Sequence, residues 1–136
     1  MLLVDDSEPF RRSLLLTLQE ISGVCITVEA ADGFEAVQKA ESIRPDIVLL
    51  DIGLPKLNGL NIAELIRKCS PESKIVFLTN ETDPDVVKAA LDTGAVGYVH
   101  KLQAGTELKT AVEAALRGQQ FVSPNLKVDF LDTFAA

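Results

Sequence analysis

A short apolar run, a turn and an amphipathic helical stretch follow one another five times along this chain. The runs are Leu2–Val4, Val24–Val28, Ile47–Leu50, Ile75–Leu78 and Gly97–His100. Several are aliphatic nearly throughout, as strands buried on both faces are. Consecutive βα units of this kind predict an α/β fold, a parallel sheet with helices on both faces. The first strand is clipped to three residues by the acids Asp5-Asp6.

The intervening helices carry start and stop signals. Phe10, Leu14, Leu18 and Ile21 recur at helical spacing behind Ser7, a plausible N-cap. Phe34, Val37 and Ala40 follow Asp32-Gly33, while Ile62, Ile66 and Cys69 share one face of a third helix. Asp83-Pro84 supplies a cap and a first-turn proline for the fourth, with Val86, Ala90 and Leu91 expected inward and Gly94 at its end. Leu108, Ala111, Val112, Ala115 and Leu116 form the clearest stripe, stopped at Gly118. The segment from Ser123-Pro124 to Ala136 reads as a cap, a proline and the start of a linker helix. The expected division is one domain over 1–122 and a linker over 123–136.

Composition bounds the function. A chain of 136 residues, 47% hydrophobic, buries one sizeable core. No apolar run approaches the ~20 residues of a membrane span, and the first acids come too early for a secretory signal. The expectation is a soluble cytoplasmic protein without a membrane partner. A net charge of −7 argues against gripping a nucleic-acid backbone directly. Cys25 and Cys69 have neither CxxC nor metal spacing and read as small apolar fillers. No GxGxxG or GK[ST] loop supports nucleotide binding.

The chemistry sits at strand ends. In open parallel sheets, ligands gather at the carboxyl ends of the strands. Asp5 and Asp6 follow the first strand and Asp51 the third; if those strands are neighbours, three carboxylates converge. Their mutual repulsion calls for a counter-ion, and Mg²⁺ suits an oxygen-rich site that also receives a phosphate. A carboxylate beside that metal can attack phosphorus and form an acyl phosphate. Thr79 after the fourth strand offers a hydroxyl, and Lys101 after the fifth an ammonium. Each has a plainer reading alone: the acid pair as a helix cap, the threonine as structural, the lysine as solvated. Their joint placement at four of five strand ends favours chemistry.

Val4-Asp5-Asp6-Ser7, Pro45 through Pro55 with Gly59, Leu78-Thr79, Gly94-Ala95 and Tyr98-Val99-His100-Lys101 together resemble the receiver domain of bacterial two-component response regulators. The resemblance runs from Leu3 to about Pro124. It implies a flavodoxin-like (βα)5 fold with five strands in the order 2-1-3-4-5. It also implies a sensor histidine kinase as phosphoryl donor, Asp51 as acceptor, and Mg²⁺ on Asp6, Asp51 and the Gly53 carbonyl, with Asp5 acting through a water. Lys101 would pair with the phosphoryl group. Thr79 and Tyr98 would be the switch pair, hydroxyl toward phosphate and ring inward. Such a domain is a regulatory phosphoacceptor that assists its own phosphotransfer and dephosphorylation, not an enzyme in the ordinary sense. The bond before Leu102 is often cis in this family, which for a non-proline costs about 3 kcal/mol.

The stretch from Glu113 to Pro124 is similar to receivers that precede a LuxR-type helix-turn-helix domain. DNA would then be reached only through such an output domain, which these 136 residues lack. Phosphorylation would switch transcription, in some members through a homodimer. Lys88, Tyr98 and Lys109 are candidates for the signalling face. Leu54 replaces a common methionine at similar volume. Asn80 is bulkier than the small residue usual beside the switch threonine, and is expected to modulate access to the phosphoryl site.

Three rival readings fit the residues less well. A haloacid-dehalogenase phosphatase needs a second aspartate where this chain has Gly53. A pseudo-receiver that binds partners without phosphorylation would not need all five site residues. His100 beside Lys101 reads as an ordinary side chain, not a relay histidine.

Overall fold

The computed structural model describes residues 1–21, 27–55, 57–124 and 126. The chain alternates β1 (Leu2–Val4), α1 (Glu8–Leu18), β2 (Val28–Ala30), α2 (Gly33–Ile43), β3 (Ile47–Leu50), α3 (Gly59–Cys69), β4 (Lys74–Thr79), α4 (Pro84–Asp92), β5 (Gly97–His100), α5 (Ala104–Leu116) and β6 (Phe121–Val122). Most of the second apolar run lies outside the described residues.

The expected start signals act: Ser7 accepts from the Phe10 amide and Asp83 from Asp85, and the structure adds caps by Asp32, accepting from Glu35, and Asn58, accepting from Asn61. Each gives the first turn an acceptor for an amide without an intrahelical partner. Gly94 and Gly118 take positive φ just past α4 and α5, where a side chain would be strained.

The sheet is parallel throughout, in the order β2-β1-β3-β4-β5-β6. Alternation along the strands sends Leu2, Val4, Val48, Leu50, Ile75, Phe77 and Tyr98 to one face, with α2, α3 and α4. Leu3, Ile47, Leu49, Val76, Leu78 and Val99 go to the other, with α1 and α5. Both faces are therefore core, the reason the strands read as unbroken apolar runs.

The sheet has six strands, not the five expected. After α5 the chain returns along the open edge of β5, where Phe121 N–H donates to the Val96 carbonyl at 2.9 Å and Ser123 N–H to Tyr98 at 2.9 Å. An open edge presents unpaired backbone groups, and a two-residue strand satisfies them without any sequence periodicity. Leu126 is then buried in the same core cluster as Tyr98. The remaining linker residues, 125 and 127–136, lie outside the described residues.

Two side-chain placements differ from expectation: Phe34 and Leu116 are exposed. In α4, Val86 and Leu91 pack half-buried against the core as expected, and Val87 is buried there too. No cis peptide bond occurs among the described residues, so the bond before Leu102 is trans.

Candidate functional site

Register builds the site. Val4 pairs with Leu50 across β1 and β3, and the next residue of each strand is an aspartate. The Asp51 amide donates to the Val4 carbonyl at 3.2 Å, carrying the ladder one step past the strand ends. Carboxylate oxygens of Asp5, Asp6 and Asp51 lie within 4.8 Å of one another; Asp5 and Asp51 are buried and Asp6 is exposed. Thr79 pairs with His100 across β4 and β5, which sets Lys101 just beyond that strand end.

Lys101 closes the cluster. Its Nζ lies 2.7 Å from Asp5 Oδ2 and 3.1 Å from Asp51 Oδ2. Burial pulls the ammonium's proton affinity down, but the hydrogen bonds and charges of Asp5 and Asp51 outweigh it and leave its pKa above the ordinary lysine value. The lysine is thus a cation held between two buried carboxylates.

A pocket of about 360 Å³ opens over Asp51, lined also by Ile52, Gly53, Thr79, Asn80, Glu81, Thr82 and Lys101. Three oxygen donors of this type fit a hard cation such as Mg²⁺. Gly53 lies on the pocket wall and its amide donates to Asp51 Oδ1 at 3.1 Å.

The two switch candidates are both buried. Thr79 Oγ1 accepts from the Glu81 amide at 3.3 Å. Tyr98 is fully enclosed beside Phe77 with its ring already inward, and its hydroxyl donates to the Glu81 carbonyl at 2.7 Å. In this conformation Tyr98 contributes nothing to an exterior face, whereas Lys88 and Lys109 are exposed. Burial first, then the charges of Glu81, Asp51 and Asp83, push the Tyr98 phenol well above its ordinary value.

Asn80 is exposed and lines the pocket. His100 does not line the pocket; its Nδ1 is buried without a hydrogen bond among the described residues. Cys69 is half-buried on α3, its thiol raised by burial and by Glu41, consistent with a filler. Cys25 lies outside the described residues.

Sequence reasoning missed the supports. Arg11 donates to the Asp5 carbonyl and pairs with Glu29 at 2.9 Å. The Ser7 amide donates to Asp5 Oδ1 at 2.8 Å. Phe10, read only as a core residue, places its ring centroid 4.5 Å from the Lys101 ammonium. Helical spacing flagged Phe10 as apolar, but no local pattern points from α1 to the end of β5.

A family model described as the response regulator receiver domain matches residues 1–113. The response regulator GacA of Pseudomonas viridiflava is 32% identical over 127 residues, covering 93% of this chain and 59% of that protein. The response regulator UvrY of Escherichia coli K12 is 30% identical over 126 residues, 93% of this chain and 58% of its own length. The chain therefore spans less than two thirds of these curated relatives. Among solved structures, a LuxR-family two-component response regulator from Aurantimonas sp. SI85-9A1 superposes with a TM-score of 0.92 at 29% identity, covering 99% of this chain and 96% of that one.

Proposed function

This chain belongs to the response regulator receiver domain family, and on that premise we propose that it is a signalling switch phosphorylated on Asp51 by a sensor histidine kinase. The observation that carries the reading is the Lys101 ammonium shared by Asp5 and Asp51 on the edge of an open pocket.

Asp6, Asp51 and the Gly53 carbonyl are the proposed Mg²⁺ ligands, with Asp5 completing the metal site through a bound water. Bound there, the ion supplies charge stabilisation for phosphoryl transfer. An Asp51 carboxylate oxygen attacks phosphorus, the bond from phosphorus to the donor's imidazole nitrogen breaks, and an acyl phosphate results. Lys101 pairs with a phosphoryl oxygen while the Thr79 hydroxyl leaves the Glu81 amide to donate to another. These groups position the reactants and stabilise charge. The domain is thus a phosphoacceptor that assists its own phosphotransfer and dephosphorylation.

The added group brings up to about two negative charges. Contacts made in only one of two conformations shift the population between them, and a 1:99 to 99:1 shift takes about 5.5 kcal/mol. The β4–α4 segment, tied to Tyr98 and Thr79 through Glu81, is the element that would move. A partner face including Lys88 and Lys109 then changes affinity, for a homodimer or for a DNA-binding output domain beyond 1–122. The site of action is the cytoplasm, where histidine kinase domains present their phosphohistidine.

The test is phosphorylation by acetyl phosphate with Mg²⁺, followed by intact-mass spectrometry. Wild type gains one acid-stable, base-labile phosphoryl group and Asp51→Asn gains none. Uptake by Asp51→Asn at the wild-type rate overturns the assignment. No Mg²⁺-dependent beryllofluoride binding by wild type would point instead to a pseudo-receiver.

A further inference from the structure

We infer that Phe10 is a positioning residue of this site, its ring face holding the Lys101 ammonium where it meets the phosphoryl group on Asp51. The inference rests on the phosphoacceptor reading and adds a group which that reading does not need.

The observations form a closed circuit. Asp5 Oδ1 accepts from the Ser7 amide at 2.8 Å, and Ser7 Oγ accepts from the Phe10 amide at 3.3 Å. The Phe10 ring faces the Lys101 ammonium at 4.5 Å, and that ammonium returns to Asp5 Oδ2 at 2.7 Å. The cap that starts α1 therefore also sets the height of Phe10 above the end of β5. A cation within about 6 Å of a ring centroid is attracted by the ring quadrupole, more strongly when both are shielded from water. The Lys101 side chain is only 15% exposed.

The ring matters because its partner has divided loyalties. The Lys101 ammonium now sits on two carboxylates that also belong to the proposed metal site. When those oxygens turn to Mg²⁺, a flexible lysine loses its anchors and would lose side-chain order with them. Phe10 competes for none of the metal's donors. It keeps the ammonium near Asp51 throughout and lowers the ordering cost of the contact to phosphate.

Two measurements decide this. In ¹H–¹³C NMR, with Lys101→Ala assigning the peak, the Lys101 ε-methylene shows an upfield ring-current shift in wild type. Phe10→Tyr keeps the shift and Phe10→Leu loses it. Beryllofluoride affinity in Mg²⁺, measured by isothermal titration calorimetry, gives the second. Phe10→Leu weakens it about 3- to 10-fold and Phe10→Tyr less than about 2-fold. In a Lys101→Ala background Phe10→Leu adds less than about 2-fold, since its effect passes through the lysine. A purely structural role predicts the same loss with or without Lys101, and that result overturns the inference, as does an unshifted ε-methylene. Failure of the phosphoacceptor reading looks different: wild type binds no beryllofluoride while the ring-current shift remains.

Discussion

The β1–α1 side of the pocket and its β4–α4 side are built on different terms. On the first, Asp5 is buried, its carboxylate takes the Ser7 amide and the Lys101 ammonium, and its carbonyl takes Arg11. On the second, residues 80–83 are exposed, and Glu81 is the hinge of the few bonds recorded there. The fixed wall holds like charges in place before any metal or phosphate arrives, which is preorganisation. The open wall has few buried contacts, as a segment that changes conformation must. Chemistry and signal are thus divided between two strand ends of one sheet.

The comparison breaks most visibly at the floor under the fixed wall. A Cβ on Gly59 would lie 2.3 Å from the Asp51 carbonyl oxygen and 2.6 Å from Ile52 Cα, both backbone atoms. Gly59→Ala should therefore destabilise the domain by about 3 kcal/mol or more in urea unfolding. A loss under 1 kcal/mol would show that this floor yields and that the wall is less fixed than its contacts imply.

The open wall should respond more mildly. Tyr98→Phe removes the hydroxyl's bond to Glu81 and should cost about 1 kcal/mol, with faster amide hydrogen exchange confined to residues 80–83. The wild-type phenol carries a pH signature that Tyr98→Phe lacks. Because the folded phenol titrates above the unfolded one, stability from the neutral hydroxyl is complete below about pH 10 and declines as pH rises further. Absorbance at 295 nm should show Tyr98 ionising in the folded protein only at higher pH than in denaturant. Ionisation at the same pH in both would mean the ring is not enclosed in solution.

Asn80→Ala gives the smallest effect on stability, within about 0.5 kcal/mol, because the side chain is exposed. Its effect belongs to access: acetyl phosphate should phosphorylate the variant faster, by about 2- to 5-fold, a barrier change of under ~1 kcal/mol. An unchanged rate would leave Asn80 outside the pocket's gating.

The βα rhythm was legible because each strand and helix carries its own period and caps. β3 and β5 match their apolar runs to the residue. Val87 was missed beside Val86, which does pack against the core, because a nine-residue helix gives too few turns to fix its phase. Phe34 was taken for an inward residue on spacing alone, yet it is exposed. β6 escaped notice because two residues have no period, and its hydrogen bonds are defined by the edge they meet.

What the sequence determined by itself was the set of reactive groups: Asp5, Asp6, Asp51, Thr79 and Lys101 each lie at a strand's last residue or within two residues after it, and strand ends are local features. Which of them touch was decided by strand order. β3 lies beside β1, and this brings Asp51 to Asp5; only the folded sheet brings Lys101, fifty residues after Asp51, between them. The same holds for Arg11 paired with Glu29, Phe10 over Lys101 and Tyr98 locked to Glu81. Such contacts join segments far apart in the chain, and a sequence pattern records periodicity along one element, not the neighbour that another element will supply.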